Sequence, residues 1–545
     1  MGNRFLPPQL PLIAALLLTA IGVGRIAATY HSISQTSDES SNLACGMQWL
    51  EQGRYTLGPF HPPLARIAMS IGPYLYGARS QGFPERFHEG NAVLNSARRY
   101  AKTLTLARIG ILPFFVLATA MVWFWSRRLL GDWGAVAAVF LFTNIPPVLG
   151  HAGVATSDMA IGAGICTFAY AFLRWMDEPD WRRMALLGVA LAVAFLSKFS
   201  SVVLVPACLL VILIVRGRVG RWPAPPKWAA ALCVAGLLVW AAYHFSFGPM
   251  TEHVAEDAAG QGGIWAKIPA SWLHTLERVP VPAPEILDGF WEVHNHVDGG
   301  HAAYLLGQNS MRGWWYFFPV ALAVKTPLGL LLLAFVGMFA AIRAKRRYWL
   351  PPALMLAVLL VCMPSTLNIG VRYALPLYPM MAITAAMGVV WLFRRGRGGA
   401  ITGSIFLLWT AASSVAAHPD YLAYFNEIAA SRPERFLVDS DLDWGQDMKQ
   451  LSAALRERHV QQFHMAALYS GDYALLDLPA WDDLKPYQPV TGWVAVSFTM
   501  LKTYSWLVAQ QTGRSEPAFG WLDRYQPVAR VGKSFLLYDI PAGAK

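Results

Sequence analysis

Charge is scarce in this chain. Asp, Glu, Lys and Arg make up 14% of its 545 residues, where a soluble protein carries about a quarter, so most of the chain is not composed for water. Cysteine is scarce as well. Of five cysteines, Cys166, Cys208, Cys233 and Cys362 lie inside apolar runs and Cys45 stands alone outside them. That excludes a disulfide framework, and the lack of any Cys-x-x-Cys pair removes the usual zinc module. Internal repeats and long low-complexity stretches are missing too. Net charge is +11 with a pI near 9.4, yet no RNA- or DNA-binding module is visible. The basic residues fall in short clusters between apolar runs, which is the positive-inside pattern and not a nucleic-acid surface.

What is abundant is apolar and aromatic. Hydrophobic residues reach 55%, mean hydropathy is +0.38, and there are 22 Trp, 20 Tyr and 28 Phe, as expected of many bilayer interfaces. A span needs about 20 apolar residues. Candidates run over 10–29, 106–126, 133–152, 158–176, 184–197, 199–215, 228–246, 316–342, 350–364, 374–393 and 400–417. The first lacks a small-residue cleavage pattern and is followed by many more spans, so it reads as a retained helix and not a signal peptide. Basic clusters at Arg127-Arg128, Arg182-Arg183, Arg216/Arg218/Arg221, 343–347 and 394–397 are then cytoplasmic. The expectation is an α-helical polytopic membrane protein with about eleven spans, N-terminus in and C-terminus out. The near-continuous run 184–215, interrupted at Ser197-Lys198-Phe199-Ser200-Ser201, reads as a hairpin of two short helices with Lys198 at its outer tip.

This layout gives a membrane domain over 1–417 with outer loops 30–104 and 247–314, and an extracytoplasmic domain over 418–545. The last part alternates β-like runs (436–439, 464–469, 494–498, 535–540) with a helical pattern over 447–458, which is the mark of a small α/β domain.

Two acidic positions stand out. Asp38-Glu39 opens a short amphipathic helix, with Leu43, Met47 and Leu50 at helical spacing and Gly53 as a stop. Thr36-x-x-Glu39 is equally a capping box with Asp38 as a first-turn acid. Asp158, in Thr156-Ser157-Asp158-Met159, opens a later span on the same outer face and also reads as a helix start. Ionisable groups at membrane depth are expensive, which favours function. Lys198, Arg372 in Asn368-Ile369-Gly370-Val371-Arg372-Tyr373, and Lys325 in Lys325-Thr326-Pro327 fall at outer ends of spans. Snorkelling accounts for such residues, as does anion binding. The stretch His294 to His301 lacks metal-site spacing and reads as a polar substrate-facing loop. In the tail, Asp439-Ser440-Asp441-Leu442-Asp443-Trp444-Gly445-Gln446-Asp447 fails as a calcium loop, with Trp444 sixth and Gln450 twelfth. It reads as a strand end entering a helix, where α/β sheets bind ligands, with the turn Tyr469-Ser470-Gly471 on the same edge; a helix cap is the plainer alternative.

Together these motifs resemble the GT-C glycosyltransferases of the protein O-mannosyltransferase type and their bacterial relative that places aminoarabinose on lipid A. The elements that carry the resemblance are Asp38-Glu39, His61-Pro62-Pro63-Leu64, Thr156-Ser157-Asp158-Met159 and the Lys198 hairpin. Tyr304-Leu305-Leu306-Gly307, Gly313-Trp314-Trp315-Tyr316-Phe317-Phe318-Pro319, Lys325-Thr326-Pro327, 368–373 and 438–447 are similar to a bacterial branch of the family.

The resemblance implies an inverting transfer of a sugar from a polyprenyl-phosphate donor to an acceptor hydroxyl on the outer leaflet. It makes Asp38 the base with Glu39 beside it, and Asp158 the residue that positions acceptor or cation. His61, Lys198, Arg372, Tyr373 and Lys325 would serve the donor phosphate and lipid; His301, Tyr304, Asp441, Asp443, Trp444 and Gln446 would face the acceptor or sugar. The implied partners are the lipid-linked donor, an acceptor lipid, glycan or protein, and membrane lipid, in a bacterial inner membrane. No resident cofactor follows, although acidic pairs in membrane transferases can hold a divalent cation. A flippase or an assembly factor for lipid-linked saccharides is the alternative; a transporter places ionisable groups near mid-span, and here they sit at outer ends.

Overall fold

The computed structural model describes residues 9–217, 225–250, 269, 271, 272, 275 and 278–543. Arg218 and Arg221 and most of the first part of loop 247–314 lie outside the described residues.

Each of the eleven apolar segments contains helix. The first half has α1 (Leu10–Ala28), then α2 (Glu39–Gln52), α3 (Pro63–Leu75) and α4 (Arg86–Ser96) of the first outer loop, then α5 (Tyr100–Ile109) and α6 (Leu112–Leu130). Next come α7 (Asp132–Phe142), α8 (Pro146–Ala152), α9 (Asp158–Asp177), α10 (Trp181–Ser197), α11 (Ser201–Val215) and α12 (Pro225–Ala242). The second half has α13 (Glu285–Gly299), α14 (Phe317–Lys325), α15 (Leu328–Ile342), α16 (Leu350–Cys362), α17 (Leu377–Phe393) and α18 (Arg397–Ala416). Among the described residues five helices are long and apolar enough to cross a bilayer alone, and seven if two bent pairs each count as one span. The chain is thus a multi-pass membrane protein.

One bent pair departs from the sequence reading. Residues 316–342 were expected as one span, but α14 and α15 meet at 116°. The cause is local: Thr326 precedes Pro327 and is extended (φ −105°, ψ 135°), because a proline ring crowds the helical conformation of the residue before it. The other pair, α7 and α8, bends by 68° ahead of Pro146-Pro147. The hairpin reading of 184–215 agrees with the geometry. Arg128 pairs with Asp177 at 2.6 Å, Arg216 pairs with the same carboxylate, and Arg346 lies beside Gly217. These basic residues therefore gather at one end of the bundle.

The C-terminal α/β domain has α19 (Met448–Glu457), α20 (Ser505–Thr512) and a five-stranded sheet of β5 (Gln462–Ala466), β6 (Ala480–Asp483), β7 (Gly492–Ser497), β8 (Ala529–Val531) and β9 (Phe535–Ile540). Two short hairpins, β1 (Phe247–Pro249) with β2 (Pro280–Pro282) and β3 (Ala303–Leu305) with β4 (Gln308–Ser310), precede it. Sheet order is β6-β5-β7-β9-β8; β5 runs parallel to β6 and β7, and β9 runs antiparallel to β7 and β8. Alternate residues load both faces: Ala495 and Leu537 join Met448, Leu451 and Leu455 of α19, while Val494 and Val496 pack on Phe519 and Leu522. The strand expected at 436–439 is a single bridge from Leu437 to Leu305, and Asp439 has φ of 50°. The main membrane core is continuous with Tyr421, Phe425, Leu437, Leu442 and Phe498 of this domain.

Candidate active site

At the end of the bundle opposite Arg128 and Arg216, the first outer loop, the start of α9, the α10–α11 break and the turn before α17 converge. Asp38 accepts from Arg372 (Nη1 to Oδ2, 2.6 Å), and the same nitrogen lies 3.9 Å from Asp158 Oδ2. Asp158 Oδ1 accepts from Lys198 Nζ at 2.6 Å, and its Oδ2 from Thr156 Oγ1 at 3.3 Å. Lys198 lies 4.3 Å from the centroid of the Tyr373 ring, and the Arg372 guanidinium lies 4.5 Å from that of Trp444, both within cation–π reach. Two carboxylates and two cations thus form one chain, Asp38, Arg372, Asp158, Lys198. Lys198, expected as an outer tip, is buried because it answers the charge of Asp158. Of the chain's carboxylates, the Asp38 side chain is 39% exposed and that of Asp158 2%.

Glu39 was expected beside the base and instead faces inward. Its side chain is fully buried, its oxygens accept from Arg108 Nε and Nη2 at 2.8 Å each, and they also accept from the backbone N–H of Thr36 and Ala155. Half of the capping box exists, since Glu39 reaches the Thr36 N–H, while Thr36 Oγ1 has no hydrogen-bond partner. Arg108, Ala155 and Thr36 come from three separate segments, so Glu39 fastens the loop that presents Asp38.

The tail motif is framework more than surface. Ser34 and Ser37 N–H donate to the carbonyls of Gln446 and Trp444, and Ser470 Oγ donates to the Ser37 carbonyl. Val371 N–H donates to Asp441 Oδ1 (3.0 Å) and Ser440 Oγ to the Ile369 carbonyl (2.8 Å). The segment 439–447 therefore holds both the Asp38 loop and the Arg372 turn. Gly370 between them has φ of 90°, and a Cβ there would meet the Ser440 hydroxyl and the Asp441 carboxylate, so glycine is required. Ile33, Val154, Leu422 and Trp444 close a small apolar cluster beneath. The C-terminal edge of the sheet, expected to receive a ligand, receives the first outer loop.

This corrects several site expectations. Asp441, Asp443 and Gln446 are buried, and their bonds go to the protein: Asp441 to Val371, Asp443 Oδ2 to Thr499 N–H (2.9 Å), Gln446 Nε2 to the Leu442 carbonyl (2.8 Å). Burial pushes the Asp443 carboxyl up to about 6, against the opposing bonds from Ser497 and Thr499. Lys325, expected near the donor phosphate, is buried at the α14–α15 bend, where Nζ donates to the carbonyls of Leu422 (2.7 Å) and Asp441 (2.5 Å) and stands 3.8 Å from Asp441 Oδ1. The stretch around His294 and His296 is helix, not loop, because α13 continues through it. His301 Nε2 pairs with Asp439 Oδ2 at 3.2 Å, and Tyr304 is buried in β3. His61 is half-buried near Lys198, with its Nδ1 buried and unpartnered among the described residues; desolvation and then the fields of Lys198 and Arg66 hold its ring well below the usual range, hence neutral.

Sequence reasoning missed Arg66 and Arg108. Arg66 is the single charged residue of α3, and Arg108 lies at the start of the apolar run 106–126; a basic residue within such apolar sequence is the signal that marks them. Among the described residues no group of three or more His, Cys, Asp or Glu is placed to hold a metal ion.

These elements, helices with their charged chemistry gathered at one end and an α/β domain docked there, define a GT-C-type membrane fold. The family model for dolichyl-phosphate-mannose-protein mannosyltransferase matches residues 102–244. An Archaeoglobus fulgidus oligosaccharyltransferase, solved with a tethered acceptor peptide containing the NVT sequon, superposes with a TM-score of 0.51 at 12% identity over 96% of this chain and 74% of that one. ArnT from Cupriavidus metallidurans in the apo state gives 0.49 at 13% identity over 96% and 97%. Among curated proteins no sequence matches. The family model thus covers part of the membrane region, and the structural likeness shows a GT-C-type fold.

Proposed function

We propose that the protein transfers a sugar from a polyprenyl-phosphate donor to an acceptor hydroxyl at the extracytoplasmic face of a bacterial inner membrane, with inversion and with Asp38 as general base. The observation that carries this reading is the unequal exposure of two bridged carboxylates. Asp38 keeps an open side at 39% exposure, whereas Asp158 is closed at 2% and neutralised by Lys198. A base has to reach the proton it takes.

In the reaction the acceptor hydroxyl gives its proton to Asp38 as its oxygen bonds to the anomeric carbon. The bond from that carbon to phosphate breaks, and the electron pair leaves on the polyprenyl phosphate. Arg372 and Lys198 are the cations at hand for that growing charge. Arg372 holds Asp38 at 2.6 Å; a phosphate that draws the guanidinium toward itself frees the carboxylate to meet the acceptor hydroxyl. Asp158 fixes Lys198. Lys198 and Arg372 engage one oxygen each of Asp158 and Asp38, so a divalent cation would share these carboxylates with them. The acceptor is a lipid, a glycan or a protein.

The test is Asp38→Asn in purified protein, assayed for release of polyprenyl phosphate from a labelled lipid-linked sugar. Release is expected to stop; release at the wild-type rate overturns the assignment. A reporter fused after Lys545 is expected outside the cytoplasm, and a cytoplasmic reading overturns the shared face.

A further inference from the structure

Arg66, in the interior of α3, is fully buried and has no carboxylate within ion-pair distance among the described residues. Nε donates to Asn42 Oδ1 (2.9 Å), and Nη1 donates to Tyr55 Oη (3.0 Å) and the Gly58 carbonyl. These acceptors are neutral, and Nη2 has none. Burial pushes the Cys45 thiol and the Tyr55 hydroxyl upward and keeps both protonated, and Glu292, the carboxylate whose field reaches Arg66, is itself paired with Arg86 at 2.9 Å. A buried, unpaired cation is a costly arrangement, and such groups are otherwise paired. The other buried cations here are paired: Arg108 with Glu39, Lys325 with Asp441, Lys198 with Asp158, and Arg372 with Asp38.

Position gives the excess a meaning. The loop 58–61 lies between Arg66 and the α10–α11 break, for a Cβ at Gly289 would meet both the Pro59 carbonyl and the Phe199 ring next to Lys198. His61, whose Nδ1 has no hydrogen-bond partner among the described residues, ends this loop. Around this loop four cations, Arg66, Arg86, Lys198 and Arg372, stand against three carboxylates, Asp38, Asp158 and Glu292; the Arg86–Glu292 pair cancels itself, which leaves one cation in excess, and Asp439 belongs to the separate pair with His301.

We propose that Arg66 is a third cation of the donor site, its free Nη2 donating to a phosphate anion, so that the cluster becomes neutral when a polyprenyl phosphodiester binds. The inference rests on the proposed donor. It also follows the reaction: when Asp38 takes the acceptor proton, one negative charge moves from its carboxylate to the leaving phosphate, and the cluster stays neutral from substrate to product. No ion has to enter or leave.

The experiment measures the thermal midpoint of the full-length protein in detergent, with and without undecaprenyl phosphate, in four variants. Wild type is expected to gain several degrees with the lipid. Arg66→Gln, which keeps a side-chain donor but not the charge, is expected to lose at least half of that gain while its ligand-free midpoint stays or rises. Arg66→Lys, which keeps the charge, is expected to retain most of it. Undiminished stabilisation of Arg66→Gln overturns the inference. If Arg66→Gln does not fold, Arg66→Lys decides alone, and loss of the gain there overturns it. Inorganic phosphate at the same concentration is expected to give no shift; an equal shift overturns the lipid-linked source. Arg372→Gln and Lys198→Gln separate the two readings. If they lose the gain and Arg66→Gln does not, this inference alone fails; if neither loses it, the donor assignment itself fails.

Discussion

Asp38 and Glu39 are neighbours in sequence and opposites in structure. Glu39 is sealed against Arg108, with four bonds to its two oxygens; Asp38 meets Arg372 by one short bond and keeps an open side. The backbone accounts for the split. Helix α2 begins at this point, so adjacent side chains leave it about 100° apart, one toward the core and one toward the outer face. A sealed ion pair fixes geometry, because breaking it strands a buried charge. An open one leaves its acid free to change protonation state. In the proposed mechanism the two acids divide frame from chemistry across a single peptide bond.

The sharpest way to break this comparison is to neutralise each acid separately. Asp38→Asn is expected to lower turnover by roughly 10²- to 10⁴-fold, as loss of a general base does, while stability shifts by less than about 1 kcal/mol, as for a partly exposed pair. Glu39→Gln is expected to do the reverse on stability, costing about 3–5 kcal/mol by leaving Arg108 unpaired, read as a fall in the thermal midpoint. Equal effects of the two substitutions on the midpoint would erase the distinction.

A smaller effect concerns pH. Asp443 has its folded pKa raised to about 6 from 3.8 by burial, so the folded state holds the proton longer than the unfolded chain. Stability from this group is complete at low pH and is lost as pH rises from about 4 to 6, by at most roughly 3 kcal/mol. Asp443→Asn is expected to flatten that slope in unfolding measured from pH 4 to pH 7, and an unchanged slope would place the titration elsewhere. The mildest effect is at Trp444. Trp444→Phe keeps a ring under Arg372 and is expected to retain donor affinity, whereas Trp444→Ala is expected to weaken it about five-fold, the equivalent of ~1 kcal/mol of cation–π contact. Loss of affinity in Trp444→Phe as large as in Trp444→Ala would point to the indole N–H.

Much of the fold was legible because its signals are local. Apolar runs mark helices one by one, and the runs at 464–469, 494–498 and 535–540 each overlap a strand of the sheet. The meeting of Asp38, Asp158, Lys198 and Arg372 followed from counting spans, which places groups on a face without describing contacts. What the sequence hides is burial. Asp441, Asp443 and Gln446 look like a polar loop awaiting a ligand, and only the docking of 439–447 between the Ser34–Ser37 and Ile369–Val371 backbones reveals that their side chains are already bonded within the protein, to Val371, Thr499 and Leu442. The α14–α15 bend was signalled by Pro327 but outweighed in the reading by the length of the apolar run. Arg66 and Arg108 carry no motif, and their importance lies in what surrounds them.

The anchoring of Ser37 by the Trp444 carbonyl has a consequence for biosynthesis. The loop bearing Asp38 is synthesised some four hundred residues before the segment that fixes its shape. At about 5–20 residues per second, the ribosome works for tens of seconds with all the early spans made and the loop still unsecured. A nascent or truncated chain ending before 439 is therefore expected to insert into the membrane without turning over substrate. The order of synthesis thus acts as a timer on the proposed activity, and a stop codon placed there should yield a protein that is present but silent.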